Sequence, residues 1–417
     1  MSPGRISTEQ LSDAAETYCV GGLRLPRPFR IRRLGHFGFN VDDVPGCLTF
    51  YRERLGLRVS DRIDYRDYIP DPALIDGLGE PYGYFLRHGT DHHSFVLFNR
   101  RVREALDKEG RFRPGITANQ ITWQVGSLQE VVDAVGFLSG RGTRISRSGR
   151  DTPGSNWHTY VFDPEGHTVE LYYGIEQIGW NGRSKPKSMY DRGFKAVPPL
   201  PQISEQAEVA QAAAAGLELD AGHSESRAEA NYEVDGVLLP RPFSIAGIGP
   251  VGLFVEDMAQ VRSFYEHELG LTLTGTHRIN GCEVAFLRAG AEHHAIALYP
   301  MELRKHLPVR QDTTSLFFGF RLASFAQLRA AATYLAGHGV EFVQLPPELT
   351  PGMRHAIHVR DPDGHLVQLY CEMEQLGWSG QPRDPALVPN NDPASWPEAI
   401  DPLPDTHTGE PFLGPWL

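Results

Sequence analysis

Alternation of apolar and polar positions is the strongest signal along the chain. In RLGHFGFNVDD (33–43), Phe37, Phe39 and Val41 fall on one side of an extended strand, and His36, Gly38 and Asn40 on the other. ANQITWQV (118–125) divides the same way, with Ile121, Trp123 and Val125 opposite Gln120, Thr122 and Gln124. In HTVELYY (167–173), Val169, Leu171 and Tyr173 oppose Thr168, Glu170 and Tyr172. Between these strands the period lengthens. VPGCLTFYRERLGL (44–57) predicts an amphipathic helix closed by Gly56, and LRVSDRIDY, YGYFLRHG and HHSFVLFN then read as strands. SLQEVVDAVGFLSGRG predicts a second helix, before strands resume through HTYVFDPEGHTVELYY. The order is βαβββ, twice.

The whole pattern then repeats. LPRPF at 25–29 returns at 239–243, and YRERLGL (51–57) returns as YEHELGL (265–271). DHHSFVLF (91–98) matches EHHAIALY (292–299), and FDPEGHTVELYY (162–173) matches RDPDGHLVQLYC (360–371). EQIGW (176–180) returns as EQLGW (374–378). The expected class is α+β, with four βαβββ modules forming two tandem domains at 31–180 and 245–380. An N-terminal arm (1–30) precedes them, and a linker (181–244) rich in Ala, Glu and Ser joins them, with one short helix. Proline density makes 381–417 an extended C-terminal arm. The first copy carries an insertion around Asp67–Tyr82, a candidate lid.

Composition narrows the function classes. Apolar residues at 41% and charged residues at 22% are ordinary for a globular protein, which removes disorder as an explanation. A formal charge of −12, with no basic stripe, argues against nucleic acid as partner. No apolar run is long enough to span a bilayer, and the first residues lack a signal-peptide core. Cys19, Cys47, Cys282 and Cys371 are widely spaced and read as free thiols. A cytoplasmic protein is expected.

Candidate chemistry lies on the polar side of the strands. A sheet curled into a cup, apolar outside against helices and polar inside, would bring His36, Gln120 and Glu170 together. A carboxylate such as Glu170 in that interior is costly unless paired or bound to a cation.

The GHxxxxV strand leading into a helix that ends LGL, and the DPEGHxxELY hairpin, resemble the vicinal oxygen chelate superfamily. That superfamily includes type I extradiol catechol dioxygenases, glyoxalase I and bleomycin-resistance proteins, and the resemblance spans both domains. It implies a glyoxalase/extradiol dioxygenase-like fold and a metal in the first domain. The metal positions it implies are His36, Gln120 and Glu170. Gln120 stands where the dioxygenases have histidine, while the glyoxalase branch uses glutamine on such a strand. An amide oxygen is a weaker donor than imidazole, so looser iron binding or another divalent ion is implied. The acid/base histidine falls on His93, and a substrate-binding tyrosine on Tyr160. A loop histidine of the family is Asp151 here, with His158 as its substitute. The second domain has Pro250, Phe317 and Gln368 at the metal positions and is expected to bind none. In many two-domain relatives the N-terminal domain is the silent one; here the order is reversed.

Plainer readings stand beside these. His92 reads as a surface or turn residue, His167 as structural, and Asp163 and Asp361 as turn formers. Tyr160 alone is compatible with a buried aromatic. The resemblance implies an Fe(II)-dependent extradiol-type dioxygenase acting on an aromatic diol-like substrate with O2, in a homo-oligomer. Mn(II), Zn(II) and Ni(II) are the alternative metals. The alternative functions are a non-redox metalloenzyme (isomerase, epimerase or lyase) and a metal-free binding protein.

Overall fold

The computed structural model describes residues 17–107, 113, 115–150, 153–154, 156–192, 196–226, 228–376, 380–382 and 390–400. Asp151 and the end of the C-terminal arm lie outside them.

A short hairpin introduces each domain, at the repeated LPRPF segments: β1 (Tyr18–Val20) with β2 (Leu23–Leu25), and β11 (Tyr232–Val234) with β12 (Val237–Leu239). The first domain contains β3 (Arg33–Val41), α1 (Val44–Thr49), β4 (Arg58–Asp64), β5 (Tyr82–Arg87), β6 (Phe95–Asn99) and α2 (Arg100–Leu106). It continues with β7 (Ala118–Gln124), α3 (Leu128–Gly140), β8 (Ile145–Arg150), β9 (Trp157–Phe162) and β10 (Thr168–Tyr173). The linker helix is α4 (Glu205–Ala214). The second domain repeats the plan with β13 (Ile245–Val255), α5 (Met258–Ser263), β14 (Thr272–Ile279), β15 (Cys282–Arg288) and β16 (Ile296–Pro300). It ends with β17 (Ser315–Leu322), α6 (Phe325–Gly337), β18 (Ala356–Arg360) and β19 (Leu366–Tyr370).

The strands form one eight-stranded sheet, β4-β5-β6-β3-β7-β10-β9-β8, and one seven-stranded sheet, β14-β15-β16-β13-β17-β19-β18. The α+β reading with two tandem glyoxalase-like domains holds. Among the described residues, no helix is long and apolar enough to cross a membrane. All four cysteines are free.

Local chemistry explains the helices that pin the sheets. Asp43 accepts the Gly46 amide at the start of α1, and a π-helical turn carries the chain to Gly56, whose φ of 93° ends it. Asp257 caps α5 by accepting the Gln260 amide, and Ser127 and Ser324 cap α3 and α6.

The apolar faces do more than meet helices. The two sheets share one core, in which Phe37 stacks on Phe318 at 4.5 Å and 16°. The repeated DPxG hairpins lock this arrangement reciprocally. Tyr51 donates to Asp361 at 3.0 Å, and Tyr265 donates to Asp163 at 3.4 Å. The Asp42 and Asp43 amides donate to Asp363, and the Glu256 and Asp257 amides to Glu165. Turn chemistry alone therefore does not account for Asp163 and Asp361; each also docks its domain on the other.

The insertion at 67–82 forms short 3-10 turns and is tied to β6 by Asn99, which donates to the Leu78 and Glu80 carbonyls. In the second domain the corresponding strands are joined directly through Asn280 and Gly281.

Candidate metal centre and active site

Strand pairing places the polar side chains. Glu170 lies opposite Thr122 on one side and Tyr160 on the other, so β7, β10 and β9 present three neighbouring residues to one face. On β3, His36 is paired with Thr122, and Gly38 with Gln120. Gln120 is thus diagonal to His36, two pairs along the ladder on the same face and within reach of a long side chain. Thr122 occupies the position between His36 and Glu170. Register shifts flank these pairs, between Leu34 and His36 and between Gly38 and Phe39.

The contacts follow from that placement. His36 Nε2 lies 2.9 Å from Glu170 Oε2, and both residues are fully buried. The same carboxylate oxygen accepts the Thr122 hydroxyl at 2.9 Å, and Oε1 accepts the Asn156 amide at 2.6 Å. Gln120 is buried on the same strand face. Thr122 and Asn156 were missed by sequence reasoning. Thr122 was visible on the polar face of its strand, whereas Asn156 sits in a loop with no periodicity to mark it.

His93 packs beside His36, with ring centroids 4.3 Å apart, and Tyr172 lies 5.3 Å from His36 on the other side. Burial, reinforced by His36 and His92, pushes the His93 pKa well below the ordinary imidazole value. His93 is therefore held as a neutral ring. His92 lies in a bend between β5 and β6, as a turn reading requires, but it is not a surface residue: it is fully buried, and its Nδ1 lies 3.0 Å from His93 Nδ1. The connection between β5 and β6 tucks beneath the Glu176 segment, whose carbonyl accepts the His92 amide.

Tyr160 is nearly buried, with the Arg147 guanidinium 4.6 Å above its ring and His158 4.6 Å beside it. His158 is opposite Tyr172, two pairs further along β9 and on the same face. His36, Glu170, Tyr160, His158 and Gln120 thus share one face, with His93 against it. His167 is outside this group, as its structural reading requires: its Nδ1 is 2.9 Å from Asp163 in the hairpin.

The donor set can be tested against a metal. Among the described residues no group of three or more His, Cys, Asp or Glu side chains is arranged so that together they could hold a metal ion. His36 and Glu170 nevertheless offer an imidazole nitrogen and a carboxylate oxygen 2.9 Å apart. That is close to the separation of neighbouring ligands on an octahedral ion with bonds of about 2.1 Å. His36 Nδ1 is buried with no hydrogen-bond partner, so the ring is oriented through Nε2 alone. These residues fit a divalent ion held by two strong donors, with Gln120 or Thr122 as a weak third.

The glyoxalase/bleomycin resistance protein/dioxygenase superfamily model matches residues 33–171 and 247–369, covering both sheets. The chain belongs to that superfamily. Metapyrocatechase 2 of Cupriavidus necator is 31% identical over 153 residues, which cover 35% of this chain and 38% of that protein. The match thus spans well under half the length of that superfamily relative. Among solved structures, the 2,3-dioxygenase LapB of a Pseudomonas species aligns with a TM-score of 0.53 at 16% identity, over 85% of this chain and 96% of that one. The Mn(II)-bound glyoxalase of Novosphingobium aromaticivorans aligns with a TM-score of 0.53 at 14% identity, over 89% and 96%. At such identities these superfamily structures share the fold.

Proposed function

We propose that the first domain is an extradiol-type dioxygenase that uses a divalent metal, Fe(II) by preference, to cleave or oxygenate a catechol-like substrate with O2. The observation that carries this reading is the buried His36–Glu170 pair with neutral His93 and Tyr160 around it. His36 and Glu170 hold the metal, with Gln120 as third ligand. The ion, when bound, supplies Lewis acidity to the two adjacent oxygens of a diol. The chain supplies the rest. His93 takes a proton from a substrate hydroxyl and returns it to the product. Tyr160 donates a hydrogen bond to a substrate oxygen, and His158 supports its ring. Asn156 and Thr122 fix the Glu170 carboxylate, and burial keeps bulk water from the reacting groups. The similarity to Metapyrocatechase 2 supports the choice of substrate class.

A second reading is a non-redox metalloenzyme of the same superfamily. Gln120 in place of a histidine favours it, and so does the structural likeness to a glyoxalase. Oxygen uptake separates the two. Protein purified without oxygen, loaded with Fe(II) and given a panel of catechols consumes O2 in step with a yellow ring-fission product under the first reading. Tight metal binding with no uptake from any catechol supports the second.

A further inference from the structure

The buried histidine pair occurs twice. His92 and His93 face each other through Nδ1 atoms 3.0 Å apart, and His293 and His294 do so at 3.1 Å. Each pair packs on an equivalent phenylalanine, Phe85 or Phe286. The surroundings of the two pairs differ. On β4, Asp61 pairs with Phe85 just after a bulge; on β14, Gly275 pairs with Phe286 just after the equivalent bulge. The Asp61 carboxylate lies 3.8 Å from His92 Nε2, a buried atom with no hydrogen-bond partner. Ser184 donates to the same Asp61 oxygen at 3.2 Å. In the repeat of EQIGWNGRS as EQLGWSGQP, the position of Ser184 is taken by Pro382, which has no hydroxyl. The second domain therefore lacks both the carboxylate and its tether. Burial, reinforced by His277 and Arg288, pushes the pKa of its His293 down to about 4.

We infer that Asp61 is a positioning residue that sets the tautomer of the His92–His93 pair, leaving His93 Nε2 free of its proton and ready to act as the base. Only one proton fits between two facing Nδ1 atoms. The negative charge of Asp61 favours the His92 proton on Nε2, the nitrogen nearest to it. His92 Nδ1 is then an acceptor, His93 Nδ1–H donates to it, and His93 Nε2 carries a lone pair. In the second domain no carboxylate selects a tautomer. The inference rests on the dioxygenase reading only for the use made of the base; the tautomer itself is independent of the reaction.

The test is nitrogen NMR on the full chain labelled with 15N-histidine and freed of metal by chelation, with signals assigned through His92→Gln and His93→Gln. The expected result is His92 protonated on Nε2 and His93 on Nδ1. Asp61→Asn, whose amide N–H can donate to His92 Nε2, inverts or mixes the two tautomers, while Asp61→Glu preserves them. In the loaded enzyme Asp61→Asn lowers kcat about ten- to a hundredfold with little change in KM. Unchanged tautomers in Asp61→Asn, or a wild-type His92 donating from Nδ1, would overturn the inference. Absence of oxygen uptake in the wild type would sink the dioxygenase reading alone, because the NMR result stands without turnover.

Discussion

The two domains share one fold and differ in what fills the inner face of each sheet. In the first, that face carries Asn40, His36, Gln120, Thr168 and Glu170. The matching positions of the second hold Phe254, Pro250, Phe317, Leu366 and Gln368. Phe254, Phe317 and Leu366 join Phe286, Tyr299 and Leu349 in a second apolar cluster. Gln368 meets His358 at 3.0 Å in place of a charged pair. Burial, with nothing charged beside it, pushes His358 down to about 3. The opposite faces, by contrast, are apolar in both domains and merge into one core. Duplication thus kept the packing face twice and the chemical face once. A scaffold needs its core in both copies, whereas one polar interior is enough for one reaction.

The sharpest way to break this comparison is to exchange the residues that define it. Glu170→Gln keeps volume but removes the charge, as Gln368 does naturally; metal retention and oxygen uptake are both expected to be lost. Metal analysis of the purified variant checks this. Phe317→Ala opens a cavity in the filled domain and is expected to cost about 3–5 kcal/mol of stability, read from denaturant unfolding. Gln120→Ala, at the matching position of the polar domain, is expected to cost under about 1 kcal/mol of stability while weakening metal binding.

A third contrast lies in the docking hairpins. His167 reaches Asp163, but His365 instead stacks on Phe39 at 4.2 Å, leaving the buried Asp361 carboxyl to Tyr51, Cys47 and backbone amides. Burial raises the Asp361 pKa to about 7. A carboxyl whose folded value exceeds its unfolded one stabilises the fold below about pH 4. That contribution is lost as pH rises toward and through about 7. Asp361→Asn is expected to flatten this dependence, gaining a few kcal/mol on the wild type at pH 8. Thermal midpoints of both proteins between pH 5 and 9 decide it; parallel curves would remove Asp361 as the cause. The smallest effect is expected from His293→Gln in the silent domain, which should leave kcat unchanged.

Much of this was legible in the sequence. The repeat, the βαβββ order and the two faces of β3, β7 and β10 follow from periodicity, because a buried face must be apolar wherever the strand runs. His36 and Glu170 were legible as well, being polar residues on otherwise well-formed strands. Strand register was not. Thr122, rather than Gln120, lies directly across from His36, with register shifts on either side of the pairing, and one strand's alternation does not say which residues of its neighbour it meets. Burial of His92 and the reach of Asn156 depend on how loops fold back over the sheet, which no local pattern encodes. The sharing of one core by both sheets was invisible for a related reason. An apolar face looks the same whether a helix or another sheet covers it.

The most direct test of one chemical interior in two copies is a calorimetric Fe(II) titration, without oxygen, of the wild type, Glu170→Gln and Gln368→Ala. One site per chain in the wild type and in Gln368→Ala, with none in Glu170→Gln, is the predicted result. Two sites per chain, or full binding by Glu170→Gln, would contradict it.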